Sequence, residues 1–274
     1  MESDSVKLVI LDIDGVVIRG KTPIPEAIEG IKFLKENNCR VVYLTNNSTR
    51  PRQRVLELLD NMGINVSVSD IFTSSYLTAL YLSKEISKDS RIFILGEEGI
   101  VLELLEVGFR NIIWTNYDPP IDYVVVGMDR NFTFQKLTCA QHAIMSGARF
   151  IATNTDVTFP VENGVIPGGG SIVKAVETAS GIKPVVIGKP ETLGLRLMLE
   201  QLGNVDPEEA LFVGDRIETD LIAGKKLGCK TGIVTSGISK RDDLERLPEK
   251  LKPDFLGENL LDLLQGGSKY GDRI

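Results

Sequence analysis

The chain has 274 residues, 42% of them hydrophobic and 25% charged, with a formal net charge of −7. That length suits two domains, and the balance is that of an ordinary globular protein. No block of lysine or arginine stands out, which excludes the electrostatic footprint of a nucleic-acid-binding surface. An acidic chain that handles an anionic substrate needs local positive charge or a bound cation.

The three cysteines, Cys39, Cys139 and Cys229, lie far apart without metal-type spacing. They read as small buried hydrophobes of a reducing compartment. The opening segment MESDSVKLVI lacks the basic start and cleavage site of a signal peptide. No apolar run approaches the ~20 residues that span a bilayer. The expectation is a cytoplasmic protein with no nucleic-acid or membrane partner.

In chain order, Val6–Leu11 is an apolar run broken only by Lys7, too short for a helix. It reads as a strand buried on both faces, as in a parallel sheet. Pro25 opens a helix of about twelve residues, with Ile28, Ile31 and Leu34 at helical spacing. CRVVYLTNN is a second buried strand with a polar end, and RPRQRVLELLDNMGI a helix closed by Gly63. This β-α-β-α run implies a parallel sheet with right-handed crossovers. The middle of the chain has its own βα pattern, with strands in RIFIL, YVVVG and RFIAT. Its helices run through LTALYLSKEI, GIVLELLEVG, FQKLTCAQHAIMSG and SIVKAVETASG. Late in the chain KPVVIGKP, EALFVGD and KTGIVTSG read as strands, separated by the helices ETLGLRLMLEQLG and IETDLIAGKKLG. The expected division is a core from 1–76 and 184–264, an inserted α/β domain at 77–183, and a flexible tail at 265–274.

Three strands end in marked polar residues: Asp12 and Asp14, Thr45 and Asn46, and Asp215. Open parallel sheets bind ligands outside the carboxyl ends of their strands. One aspartate past a strand can simply cap the next turn. Two at i and i+2, joined by a third from another strand, repel unless a cation is present. Magnesium takes one or two carboxylates and fills its other positions with water and phosphate oxygens. Lys189, after a strand in IGKP, can set an ammonium beside a phosphate, or be an ordinary surface lysine. Thr45 and Asn46 offer a hydroxyl and an amide, or cap a helix. His142, the single histidine, lies in a predicted helix and reads as structural.

These residues carry a resemblance to the haloacid dehalogenase (HAD) superfamily of phosphatases. DIDGVV resembles its first motif, D-x-D-G, and YLTNN its second; Lys189 in GKP resembles the third and VGDRIETD the fourth. All four occur in order. The insertion between the second and third motifs is similar to the large-cap class. TNNSTRPR, ATNTDVTFP, PGGGSIVKA and GKPE are similar to the NagD-like group, which includes p-nitrophenyl phosphatases and phosphoglycolate phosphatases.

The resemblance implies an α/β fold, a Rossmann-like parallel-sheet core with an inserted α/β cap. It implies Mg²⁺-dependent hydrolysis of small phosphorylated metabolites, such as sugar phosphates, phosphoglycolate, nucleotides or pyridoxal phosphate. Asp12 would be the nucleophile that forms an aspartyl-phosphate, and Asp14 the general acid and base. Mg²⁺ would be held by Asp12, the backbone carbonyl of Asp14, and Asp215, with Asp220 orienting its water shell. Thr45, Asn46, Asn47 and Lys189 would bind phosphoryl oxygens. In the cap, Asn154 and Asp156 would contact the leaving group or support their loop. By residue type alone, ATNTDVTFPVENGVIPGGGSIV holds a polar strand end, a proline-bounded loop and three glycines before a helix, which can cradle an anion or simply form a flexible turn plus a cap. Relatives of this kind often dimerise through the cap. Two alternatives stay open: a phosphotransferase or phosphomutase on the same core, and a catalytically silent protein that binds phosphate ligands. A dehalogenase is disfavoured, because those members generally lack the second aspartate.

Overall fold

A computed structural model describes residues 6–114, 117–161 and 164–266. The chain begins with β1 (Leu8–Asp12), the short pair β2 (Ile18–Arg19) and β3 (Thr22–Pro23), α1 (Pro25–Glu36), β4 (Arg40–Thr45), α2 (Arg52–Asp60) and β5 (Ile71–Thr73). It continues through α3 (Ser74–Glu85), β6 (Ile92–Leu95), α4 (Glu98–Glu106), β7 (Ile112–Ile113), β8 (Tyr123–Val126), α5 (Phe134–Met145) and β9 (Arg149–Ala152). Next come β10 (Thr158–Val161), β11 (Gly164–Pro167), α6 (Gly169–Ser180), β12 (Val185–Val186) and α7 (Leu193–Gln201). The last elements are β13 (Ala210–Gly214), α8 (Ile222–Leu227), β14 (Lys230–Val234), α9 (Arg241–Glu245), β15 (Phe255–Gly257) and α10 (Leu260–Leu264). Two compact units result. The first takes Met1–Thr45, Leu56–Phe72 and Met198–Ile274; the second takes Asn46–Val55 and Thr73–Leu197.

The first unit is built on a six-stranded sheet in the order β15-β14-β13-β1-β4-β5. Every residue of β1 and β13 is buried, as an unbroken apolar run requires when both faces of a parallel sheet are covered. The pairs joining β15 through β4 are all parallel. From β1 the chain moves outward through β4 to β5, then returns on the other side of β1 with β13. The strand order therefore reverses between β1 and β13, where an open sheet leaves a crevice. Asp12 lies opposite Leu44, and Leu11 opposite Val213, so the polar ends of three strands fall level with one another.

The second unit repeats the plan with a parallel sheet in the order β12-β9-β8-β6-β7. Val124, Val126, Phe150, Ala143, Val173 and Val176 form its core. Here the order reverses between β6 and β8. The segment after β4 packs at that point: the Gly99 amide donates to the Thr49 carbonyl at 3.3 Å. A Cβ on Gly99 would lie 2.5 Å from the Ser48 carbonyl oxygen, and one on Gly127 would lie 2.7 Å from Ser48 Oγ. An ion pair on a buried carboxylate fixes the same segment. Arg52 Nε donates to Glu103 at 3.1 Å, its backbone amide donates to the same carboxylate, and its guanidinium covers the Tyr76 ring.

The α/β expectation holds, and five local features differ from it. The edge strands β5, β7 and β15 have two or three residues each, too few to display a period. Residues 158–167, expected as a proline-bounded loop, form the hairpin β10–β11; the residues joining its strands lie outside the described ones. Helix α6 begins at Gly169, so two of the three glycines expected to precede it are inside its first turn. A Cβ on Gly170 would lie 2.2 Å from the Thr155 carbonyl oxygen, so close backbone approach is what these glycines provide. The helix expected from Ile217 opens with a wide π turn over Ile217–Leu221. Of the cysteines, Cys229 is buried and Cys39 and Cys139 are half-buried; burial pushes the Cys229 thiol up to about 12. The expected tail lies, from residue 267 on, outside the described residues. Among the described residues no helix is long and apolar enough to cross a membrane.

Candidate active site

In the first unit, β1 delivers Asp12 to the strand-order reversal, and Asp215 follows β13 directly. Asp220 arrives from the π turn. Each of these buried aspartates presents an oxygen, and the three oxygens lie within 4.8 Å of one another. Carboxylates this close and this buried repel strongly unless a cation shares the site. Their all-oxygen donor set is of the kind that holds a hard divalent ion. Asp220, expected to orient the metal's water shell, has its carboxylate in the same cluster. One Asp220 oxygen accepts the backbone amides of Asp215 and Arg216, at 3.2 and 3.0 Å. That bond set explains the π turn, which swings Asp220 back over the end of β13. Asp14 stands two residues beyond Asp12 and is half-buried.

Three glycines make room for this cluster. Gly15 has φ +94° and turns the chain after Asp14; a Cβ there would lie 2.4 Å from Asp215 Oδ2. A Cβ on Gly214 would lie 2.2 Å from Asp220 Cβ, and one on Gly237 would lie 2.0 Å from Asp215 Oδ2. The loop carrying Gly237 was not singled out in the sequence, yet it grips the site. Ile238 N–H donates to Asp215 Oδ2 at 2.8 Å, and Ser239 N–H to the Asp215 carbonyl at 3.0 Å. Ser236 Oγ donates to the Gly15 carbonyl at 2.7 Å. The Ser-Gly pair at the end of VTSG, just past a buried strand, was the available signal. Thr45, the last residue of β4, is buried beside the same strand ends.

The second unit gathers the other predicted residues. Asn46 Nδ2 donates to Asp156 Oδ1 and to the Lys189 carbonyl, both at 2.9 Å. Asn46 Oδ1 accepts the Lys189 amide at 3.0 Å. Asn154 Nδ2 donates to the Asn46 carbonyl at 2.7 Å, and Asn154 Oδ1 accepts the Asp156 amide at 3.1 Å. Asn47 Oδ1 accepts the amide and hydroxyl of Thr49 in a local turn, at 2.9 and 2.7 Å. A small cavity beside this network is lined by Asn47, Ser48, Met128, Asn154, Phe159 and Gly169. Lys189 is buried, not an ordinary surface lysine. His142 is exposed on α5 and belongs to neither cluster.

Comparison with known proteins gives the family. A family model described as haloacid dehalogenase-like hydrolase matches residues 9–110, and a second model of HAD-like hydrolases matches residues 186–263. A 5'-nucleotidase of Bacillus subtilis, YutF, is 36% identical over 241 residues, covering 86% of this chain and 91% of the relative. The structure of a p-nitrophenyl phosphatase from Archaeoglobus fulgidus superposes with a TM-score of 0.87 at 39% identity, covering 95% of this chain and 99% of that one. NagD from Escherichia coli superposes with a TM-score of 0.84 at 31% identity, covering 94% and 98%. The chain belongs to the haloacid dehalogenase-like hydrolases, within the group of NagD-like and 4-nitrophenyl phosphatases.

Proposed function

We propose that the chain is a magnesium-dependent phosphomonoesterase that hydrolyses small phosphorylated metabolites, and p-nitrophenyl phosphate, through an aspartyl-phosphate on Asp12. The observation that carries this reading is the trio of buried carboxylates at the strand-order reversal of a parallel sheet.

Asp12, ionised, attacks phosphorus and bonds to it as the ester oxygen departs. Covalent catalysis of this kind divides one difficult displacement into two easier ones. Asp14 protonates the departing oxygen, then takes a proton from the water that cleaves the aspartyl-phosphate. Asp14 stands two residues past the end of β1, in the turn that follows Asp12. Thr45, Asn47 and Lys189 stabilise the phosphoryl oxygens, where charge is spread in the transition state. Asp12, Asp215 and the Asp14 carbonyl would hold Mg²⁺, and Asp220, whose carboxylate lies in the same cluster, would orient its water shell. The bound ion supplies the positive charge that offsets the carboxylates and the transferring phosphoryl group. The inserted residues 77–183 act as a cap that selects the leaving group, with Asn154 and Asp156 supporting its loop.

Asp12→Asn tests the assignment. The variant keeps its circular dichroism spectrum and loses phosphate release by at least about a thousandfold, because an amide cannot serve as the nucleophile. A folded variant with activity near that of the parent would remove Asp12 from this role.

A further inference from the structure

We propose that the Asn46 side chain is a positioning residue: it sets Lys189 and the Asn154–Asp156 turn in register with the loop after β4, and does not itself contact the phosphoryl group. The inference rests on Lys189 being the phosphoryl-binding cation.

The argument is a count of hydrogen-bonding capacity. An asparagine amide has two N–H donors. In Asn46 one is engaged by Asp156 Oδ1 and the other by the Lys189 carbonyl, both at 2.9 Å. No donor is left for a phosphoryl oxygen, and the amide oxygen, an acceptor, cannot serve one. That oxygen instead accepts the Lys189 N–H at 3.0 Å. One side chain thus holds both backbone groups of Lys189, as a neighbouring strand would. Asn46 is only 8% exposed, so water does not readily replace these bonds.

Further contacts show that the arrangement is built. A Cβ on Gly188 would lie 2.6 Å from Asn46 Oδ1, so the residue before Lys189 has to be glycine for the amide to approach. The Asn46 carbonyl accepts Asn154 Nδ2 at 2.7 Å and Ser74 Oγ at 2.6 Å, and Asn154 Oδ1 accepts the Asp156 amide. Asn46, Asp156 and Asn154 form a closed ring to which Lys189 is attached. Lysine is a compact charge on a flexible stem. Fixing its backbone at two points is what limits where the ammonium can go.

The test exchanges donor and acceptor. Asn46→Asp sets a carboxylate against the Asp156 carboxylate and the Lys189 carbonyl, three acceptors with no proton among them. Displacing Lys189 in this way lowers kcat/KM for p-nitrophenyl phosphate by about a hundredfold, the scale of a 1 Å misplacement. Adding Asp156→Asn returns a donor to the pair, while the carboxylate introduced at position 46 still accepts the Lys189 N–H. The double variant therefore recovers at least about tenfold, a coupling that independent sites do not show. Lys189→Met, measured in parallel, is inactive. If Lys189→Met retains activity, the phosphoryl-binding reading of Lys189 fails and this inference fails with it. If Lys189→Met is inactive but the double variant recovers nothing, only the positioning role is overturned. Should Asn46→Asp not fold, Asp156→Ala removes one of the three bonds. It is expected to lower kcat/KM by about tenfold, and full activity would overturn the proposal.

Discussion

The two parallel sheets share one plan and use it oppositely. Each reverses its strand order once, between β1 and β13 in the first unit and between β6 and β8 in the second. At the first reversal the glycines Gly15, Gly214 and Gly237 leave space that carboxylates occupy. At the second, Gly99 and Gly127 leave space that the backbone and side chain of Ser48 occupy. The same crevice gathers a carboxylate cluster in one unit and receives the chain's own loop in the other. A glycine beyond a strand says that something approaches closely; what approaches decides whether the place is chemical or structural.

The comparison can be broken from either side, and the larger effect is expected in the second unit. Glu103→Ala leaves the half-buried Arg52 without its carboxylate, an uncompensated charge that costs about 3 kcal/mol, the low end for a buried pair. Denaturant unfolding measures that loss, and a change below about 1 kcal/mol, the range of exposed pairs, would mean that the pair does not anchor the loop. Gly237→Ala probes the first unit. Its new methyl group meets Asp215 Oδ2, so the carboxylate must move. Mg²⁺ affinity, read by calorimetric titration, is expected to fall by about 10–100-fold, as when a group that orients a metal ligand is lost. Unchanged affinity would show that the loop does not set the position of Asp215.

Much of this was legible in the sequence because parallel strands buried on both faces are continuous apolar runs. β1, β4 and β13 stood out for that reason, and so did their polar ends, Asp12, Thr45 and Asp215. The short edge strands did not, since two or three residues carry no period. Pro160 and Pro167 disguised the hairpin β10–β11. The partners of Asn46 were beyond reach for a different reason: Asp156 and Lys189 lie 110 and 143 residues away. Residue type suggested an amide offered to a ligand, and only the fold showed that its donors were already taken. The π turn that brings Asp220 to the carboxylate cluster was out of reach too, because it has no sequence period of its own.

The central claim is that the cluster of Asp12, Asp215 and Asp220 is a metal-dependent phosphatase centre. Phosphate release from p-nitrophenyl phosphate at neutral pH, with Mg²⁺ and with excess chelator, tests it most directly. The account predicts turnover that requires Mg²⁺, ceases in chelator and returns when the ion is restored. Turnover undiminished by chelator, or none at all with Mg²⁺ present, would contradict it.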